Sequence, residues 1–198
     1  MKNIIICFFF IGYAKYNRSE IRSDIDMKLT NTSIKDSTDL KITITNNSLK
    51  NYYLLYSSKS VNDIMKEFNN SGALYTISAV IVDDENSSID LKLYEGSCPY
   101  DSPVHTTKDI LKLKPKQKIK LSIPFRMKTN VSEDCYYGYM TDTILPDKQY
   151  YVYAYYYIGN EYFKNALPKT IKDSLEQMGY ELYEKEIVSN RVPLILKK

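Results

Sequence analysis

The chain is poor in the residues on which most active sites and metal centres depend. It has one histidine, His105, three cysteines, six glycines and no tryptophan among its 198 residues. A single histidine excludes metal centres built on several histidines, and the few glycines form no phosphate-binding loop. A Ser-His-Asp triad would have to use His105, and no Gly-x-Ser-x-Gly elbow accompanies it. We therefore expect no catalytic residues, no cofactor, no metal ion and no enzyme activity.

A cysteine–histidine pair is the remaining catalytic combination that the residue types allow. Cys98 and His105 share the proline-containing stretch 98–109. In cysteine hydrolases a histidine activates the thiol as a nucleophile. A hydrolase that uses this loop is therefore one functional hypothesis, although a disulfide bond at Cys98 would compete with it directly.

An acidic turn offers the chain's candidate calcium ligands. Residues 83–85 are two aspartates and a glutamate, and Asp90 follows shortly after them. Calcium takes oxygen ligands from loops, but the spacing of an EF-hand is absent here. We favour a solvated acidic turn, because charge clusters at turns mostly face water.

Charge of one sign is not concentrated along the chain. Lys and Arg number 27 against 24 Asp and Glu, which gives a net charge of +3, and the lysines are scattered. Nucleic-acid binding requires a concentrated basic face or stripe. We therefore expect no nucleic-acid partner.

The start of the chain resembles a secretory signal peptide. Lys2 precedes an apolar block at 4–11, and residues 12–14 put small side chains at the −3 and −1 positions of a cleavage site. The block is shorter than the roughly 20 residues that a spanning helix needs. The pattern predicts a signal peptide at 1–14 and one domain at 15–198, exported to the periplasm or the cell surface and not membrane-spanning. The alternative is a buried first strand of a cytoplasmic domain.

The cysteine count is compatible with export. If Cys7 leaves with the signal peptide, Cys98 and Cys135 remain. An even pair in an exported domain is a candidate disulfide bond. Two free thiols in a reducing compartment are the alternative.

The hydrophobic pattern is that of a mainly β protein. Apolar and polar residues alternate cleanly in 25–29, 40–45 and 118–125, which is the period of a strand with one buried face. About nine strands separated by turns predict a single antiparallel β-sandwich. The Asn-Asn-Ser turn at 46–48 predicts a hairpin to the run at 51–56, because asparagine tolerates the left-handed conformation of tight turns.

One or two short helices are predicted to interrupt the strand pattern, and a loop with scattered apolar residues is the alternative for the first, at 61–68. Residues 61–68 carry apolar side chains at i, i+3, i+4 and i+7, which is one face of a helix. Residues 169–178 also have one apolar face, between Pro168, which suits a helix start, and Gly179, which suits a C-terminal stop. We expect this second helix to be inserted before the last strands.

The longest β-prone run, residues 145–158, organises the predicted fold. Strand alternation assigns its residues to two faces. The first face carries Tyr150, Val152, Ala154, Tyr156 and Ile158. The second face carries Tyr151, Tyr153, Tyr155 and Tyr157. A run this apolar on both faces is typical of a strand in the middle of a sheet.

The approach to this strand resembles part of the immunoglobulin-like and fibronectin-type-III-like sandwiches. In those folds a leucine and a proline precede a tyrosine that begins strand F and bonds back to the upstream backbone, the tyrosine corner. Leu145, Pro146 and Tyr150 match those positions, and the resemblance covers mainly residues 145–154. It implies an immunoglobulin-like β-sandwich, as in exported bacterial proteins of unassigned function, and fold alone implies no activity.

The tyrosine row has two interpretations. As a functional surface, Tyr151, Tyr153, Tyr155 and Tyr157 form a platform for a glycan or a protein partner. As a structural feature, they are the second face of a central strand, covered by the helix at 170–178 or by lysine stems. We favour the structural interpretation, because the apolar face of that helix must pack somewhere.

Together these patterns predict a non-enzymatic exported β-sandwich protein that acts by binding a protein or a glycan. An inhibitor or immunity-type protein that blocks one cognate protein is the alternative, and the hydrolase hypothesis is the third.

Overall fold

The computed structural model describes most of the chain between residues 23 and 196. The described ranges are 23–56, 77–89, 91–94, 107–130, 136–139, 144–145, 147–158 and 167–196. The predicted signal peptide at 1–14 and the predicted helix at 61–68 lie outside these ranges.

The described part of the chain is mainly β with one α-helix, as predicted. The strands are β1 (Ile25–Leu29), β2 (Ile34–Lys35), β3 (Asp39–Asn46), β4 (Asn51–Leu55), β5 (Ser78–Asp83), β6 (Ser88–Ile89), β7 (Leu91–Tyr94), β8 (Ile110–Leu113), β9 (Lys118–Pro124), β10 (Lys128–Asn130), β11 (Tyr136–Tyr139), β12 (Tyr150–Tyr156), β13 (Tyr180–Leu182), β14 (Ile187–Val188) and β15 (Val192–Ile195). The helix is α1 (Lys169–Gln177), and a 3-10 turn at Thr107–Asp109 precedes β8.

These strands form four sheets within the described residues. Three sheets have three strands each, in the orders β1-β3-β9, β10-β11-β7 and β13-β4-β8. The fourth has six strands, in the order β2-β15-β12-β5-β6, with β14 pairing β12 beside β15. Two pairs are parallel, β13 with β4 and β15 with β2, so the expectation of an antiparallel arrangement throughout is wrong. Both parallel pairs join strands far apart in the chain, which leaves room for the crossover that parallel pairing requires.

One hydrophobic core joins the three-stranded sheet β1-β3-β9 to the six-stranded sheet. Ile25, Met27 and Leu29 of β1 are buried, and the residues between them are exposed. These three side chains belong to the same buried cluster as Val152 and Ala154 of β12, and β1 lies against β12 and β14. Each large apolar side chain buried in this way contributes about 1.5–3 kcal/mol relative to an exposed position.

The hairpin predicted after β3 is wrong, because β3 and β4 belong to different sheets. Asn46, at the end of β3, has a fully buried side chain. The two hydrogens of its amide Nδ2 are shared among the carbonyl oxygens of Lys50, Leu113 and Lys114, which lie at 2.7, 3.1 and 3.1 Å. Its Oδ1 accepts from the backbone N–H of Ser48 at 3.0 Å. One buried amide therefore ties the β3–β4 connection to the β8–β9 connection, where the sequence predicted a hairpin.

Helix α1 lies where the sequence predicts a helix. The carbonyl of Pro168 accepts the N–H groups of Ile171 and Lys172, and Gly179 ends the segment with a φ of 76°, a left-handed conformation that glycine adopts without strain. Leu175 is its buried residue. The helix lies beside β13 and so does not supply the cover that we expected over the tyrosine row.

Candidate functional site

Strand β12 is a central strand of the six-stranded sheet, and its two faces differ as the alternation predicts. It pairs with β5 on one side and with β14 and β15 on the other. The residues of its first face, Tyr150, Val152, Ala154, Tyr156 and Ile158, are at most 3% exposed. The residues Tyr151, Tyr153 and Tyr155 of its second face are half-buried, and Tyr157 is 53% exposed. The tyrosine row therefore remains in contact with solvent.

Buried polar contacts hold β12 rigidly under this row. The hydroxyl of Tyr156 accepts the backbone N–H of Leu55 at 3.1 Å. Burial raises the pKa of Tyr156 well above its usual range, so its hydroxyl stays neutral. The N–H of Ala154 donates to the Oγ of the buried Ser189 at 2.8 Å. The row is therefore fixed to a strand that is anchored through its opposite face and its edge.

A hydrogen bond also fixes the start of the strand. The hydroxyl of Tyr150 accepts the backbone N–H of Leu145 at 2.8 Å. The bond joins the first residue of β12 to the segment that precedes the strand. It sets the direction in which the chain enters β12.

The neighbouring strands extend the row into a wider surface. Residues that pair with it across the sheet are Ser78, Val80 and Val82 of β5, Val188 of β14 and Pro193 of β15. Of these, Val82, which pairs with Tyr151, is buried. Val188 is 49% exposed, and Ile195, two residues beyond Pro193 on the same side of β15, is 44% exposed. We call this surface the tyrosine face; it consists of Tyr151, Tyr153, Tyr155, Tyr157, Val80, Val188, Pro193 and Ile195.

Charged side chains lie close to the tyrosine rings. The guanidinium of Arg191 lies 5.8 Å from the ring centroid of Tyr153, within the range of a cation–π contact, and donates to Oδ1 of Asn86. Burial raises the pKa of Tyr155, and the nearby carboxylate of Glu186 raises it further. The sequence analysis missed Arg191, because its place over Tyr153 depends on pairing between distant strands.

The candidate calcium ligands at 83–85 form a different structure. Asp83 is buried, and its Oδ1 accepts the N–H groups of Glu85 and Ser87 at 3.0 and 2.8 Å. Its Oδ2 binds the ammonium of Lys148 at 2.9 Å, and this hydrogen bond is the main cause that lowers the pKa of Asp83. The carboxylate therefore organises a turn, and Asp83 is not the solvated residue that we expected.

The remaining candidate residues for metal binding or catalysis are only partly covered by the described ranges. Among the residues that the structure describes, no group of three or more His, Cys, Asp or Glu side chains could hold a metal ion. Cys98, Cys135 and His105 lie outside the described ranges. The disulfide and the hydrolase hypothesis therefore stay predictions.

Comparisons with known proteins give no guide to the tyrosine face. No protein-family model, curated protein or solved structure matches the chain significantly. In the described ranges, no helix combines the length and the apolar character needed to cross a membrane.

Proposed function

We propose that this protein is a non-enzymatic binding protein that recognises a protein partner through the tyrosine face. The observation that carries the proposal is the partly exposed row of tyrosines on a strand whose opposite face is buried. Tyrosine offers a large contact area at a low cost in conformational entropy. A row fixed to a central strand is also ordered before the partner arrives, so less ordering accompanies binding.

Exposed apolar residues concentrate on this face. Six large hydrophobic residues are exposed in the described part of the chain, and three of them, Tyr157, Val188 and Ile195, belong to the tyrosine face. Val188 pairs with Tyr155, two residues from Tyr157, whereas Ile195 lies at the other end of the row. Neighbouring exposed apolar side chains mark an interaction site more often than isolated ones do. Arg191 adds a cation beside the aromatic rings, and tyrosine and arginine are enriched among the residues that dominate binding energy at protein interfaces.

A protein partner fits this surface better than a glycan does. A glycan would use the tyrosine rings and nearby hydrogen-bonding groups, whereas Val188 and Ile195 offer exposed aliphatic side chains with no polar group. Aliphatic side chains next to aromatic ones suit the apolar centre of a protein interface. Small ligands also favour concave sites, and this face is the side of a sheet.

We also propose that the fold is an immunoglobulin-like β-sandwich. In that fold strands A, B and E share one sheet, and strands C, F and G share the other. The orders β1-β3-β9 and β15-β12-β5 are compatible with this division if β12 is strand F. The hydrogen bond between Tyr150 and Leu145 supports that assignment.

Export is part of the proposal and rests on residues 1–14 alone. Sequencing of the protein's N-terminus after production in a bacterial host tests it. We expect cleavage before Lys15 in protein recovered from the periplasm or the medium. An intact N-terminus on cytosolic protein would contradict export without affecting the proposed binding.

The binding proposal is tested by capture with matched variants. Immobilised wild-type protein, a Tyr155→Ser variant and a Leu49→Ser variant are compared on one extract; Leu49 is 83% exposed and lies off the tyrosine face. We expect a protein that binds wild type and Leu49→Ser and binds Tyr155→Ser at least about tenfold more weakly. Equal recovery by all three variants would contradict the proposal. If wild type and Leu49→Ser bound a glycan on an array and Tyr155→Ser did not, the tyrosine face would be a glycan-binding site and the proposal of a protein partner would be wrong.

A further inference from the structure

The fold gathers scattered lysines on the outer face of the sheet β1-β3-β9. Lys28, Lys41, Lys118 and Lys120 are all exposed. The strand register puts Lys28 and Lys120 on either side of Thr43 in one row across the sheet. Lys118 lies two residues from Lys120 along β9, and Lys41 lies two residues from Thr43 along β3. We call these four residues the lysine face.

Two aspartates offset part of the charge of the lysine face. Asp26 and Asp39 lie on the same side of the sheet, so four lysines face two carboxylates and an excess of positive charge remains. Each carboxylate accepts a hydrogen bond from a neutral group. The Oδ2 of Asp26 accepts from Nδ2 of Asn47 at 2.6 Å, and the Oδ2 of Asp39 accepts from Oγ of Ser122 at 2.7 Å. Within the described residues, none of the four lysines forms an ion pair with another side chain.

The four ammonium groups therefore repel one another. Neighbouring positions among the four are roughly 7–10 Å apart on the sheet, whereas Lys118 lies roughly 12–14 Å from Lys28 and Lys41, from the spacing of neighbouring strands and of alternate residues along a strand. The separation of neighbouring positions does not exceed the Debye length of about 10 Å at 0.1 M salt, so screening is incomplete. An anionic partner would relieve this repulsion, and its binding would weaken as salt rises.

The shape of the lysine face selects among anionic partners. The charges spread over two dimensions of the sheet, between the short side chains of Thr43 and Thr45. The described residues on this face include no aromatic ring on which a single-stranded nucleic acid could stack. The sheet face also presents no helix or ribbon to enter a duplex groove. A layer of anionic headgroups matches the two-dimensional spread of the lysines.

We infer that the lysine face docks the protein on an anionic phospholipid surface. The ammonium groups contact headgroup phosphates, and no segment enters the hydrocarbon. The lysine face and the tyrosine face belong to different sheets. The opposite faces of these two sheets contribute to the same hydrophobic core. A protein docked in this way would hold its tyrosine face away from the bilayer. The inference uses none of the tyrosine-face residues and stands apart from the proposed function.

The test uses the full chain with vesicles of phosphatidylcholine, with or without phosphatidylglycerol, in a sedimentation assay. The test variant replaces four lysines by glutamine: Lys28, Lys41, Lys118 and Lys120. The control variant removes the same charge from four exposed lysines off the face: Lys35, Lys50, Lys169 and Lys185. Residues 4–11 are common to all variants, so any binding by that apolar block cancels in the comparison.

We expect wild type and control to bind vesicles that contain phosphatidylglycerol, and to bind them less as salt rises. One lysine near an anionic surface strengthens partitioning by about fivefold, so the test variant should bind at least about a hundredfold more weakly. Equal weakening of both variants would overturn the inference, because net charge alone would explain it. Failure of wild type to distinguish the two vesicle types would also overturn it. The inference would also be overturned if wild type bound heparin or DNA more tightly than the vesicles and the test variant lost that binding. The partner would then be a soluble polyanion and not a membrane.

Discussion

The hydroxyl of Tyr150 accepts a hydrogen bond from the backbone N–H of Leu145 at 2.8 Å, across the turn that leads into β12. The ring of Tyr150 is buried at the same time, with 3% exposure. One side chain therefore contributes to the core and fixes the approach to the strand that carries the tyrosine face.

Removing this hydroxyl isolates its contribution. A Tyr150→Phe variant keeps the buried ring and leaves the Leu145 N–H without its partner, so we expect the free energy of unfolding to fall by about 1 kcal/mol. Urea denaturation measures the change. Tyr157→Phe is the control, because Tyr157 is exposed, and its stability should equal that of wild type. Equal stabilities for all three proteins would mean that the bond contributes nothing to the turn.

The buried amide of Asn46 should have a larger effect. An Asn46→Leu variant deprives the carbonyl groups of Lys50, Leu113 and Lys114 of their donor. Unsatisfied polar groups in a core are costly, and we expect a loss of about 3 kcal/mol or more. Asn31→Leu is the control, because Asn31 also bonds to the backbone but at an exposed position, and we expect it to lose less than about 1 kcal/mol. Similar losses in urea denaturation for both variants would contradict the role assigned to Asn46.

The ion pair between Asp83 and Lys148 makes stability depend on pH. The hydrogen bond from Lys148 lowers the folded-state pKa of Asp83. The resulting stabilisation is complete above the carboxyl's usual pKa of about 3.9 and is lost as pH falls through the lower folded-state value. A Lys148→Gln variant should therefore lose less stability than wild type on acidification below about pH 4.

The urea midpoint measured across the acid range checks this prediction. Lys169→Gln is the matched control, since Lys169 pairs with Asp173 at a more exposed site, and surface pairs of that kind contribute little. Its acid profile should follow that of wild type. A Lys148→Gln profile that is parallel to wild type would contradict the assignment.

Local patterns predicted the longer elements but not their partners. The alternation from Tyr150 to Tyr157 correctly divided these residues between two faces, because it depends only on the period of a strand. It did not predict which face would stay in contact with solvent, and the interpretation that we favoured, a covered tyrosine row, is wrong for the exposed Tyr157. The limits of α1 did follow from the local sequence, from Pro168 and Gly179.

Features that depend on pairing between distant strands escaped the sequence analysis. The sequence around Asn46 is typical of a tight turn. Its side-chain Nδ2, however, donates to the carbonyl oxygens of Leu113 and Lys114, which lie far along the chain. Lys28 and Lys120 looked scattered in the sequence, and only the register of β1, β3 and β9 brings them into one row. Contacts between distant strands leave no periodic pattern in the local sequence, so they could not be predicted from it.

Site-specific photo-crosslinking tests the proposed use of the tyrosine face most directly. A benzoylphenylalanine introduced at Tyr157, which is 53% exposed, is compared with the same group at Leu49, which lies off the face. The account predicts one discrete protein adduct from position 157 that is absent from position 49 and is suppressed by an added Tyr155→Ser substitution. No protein adduct from position 157, or the same adduct from both positions, would contradict it.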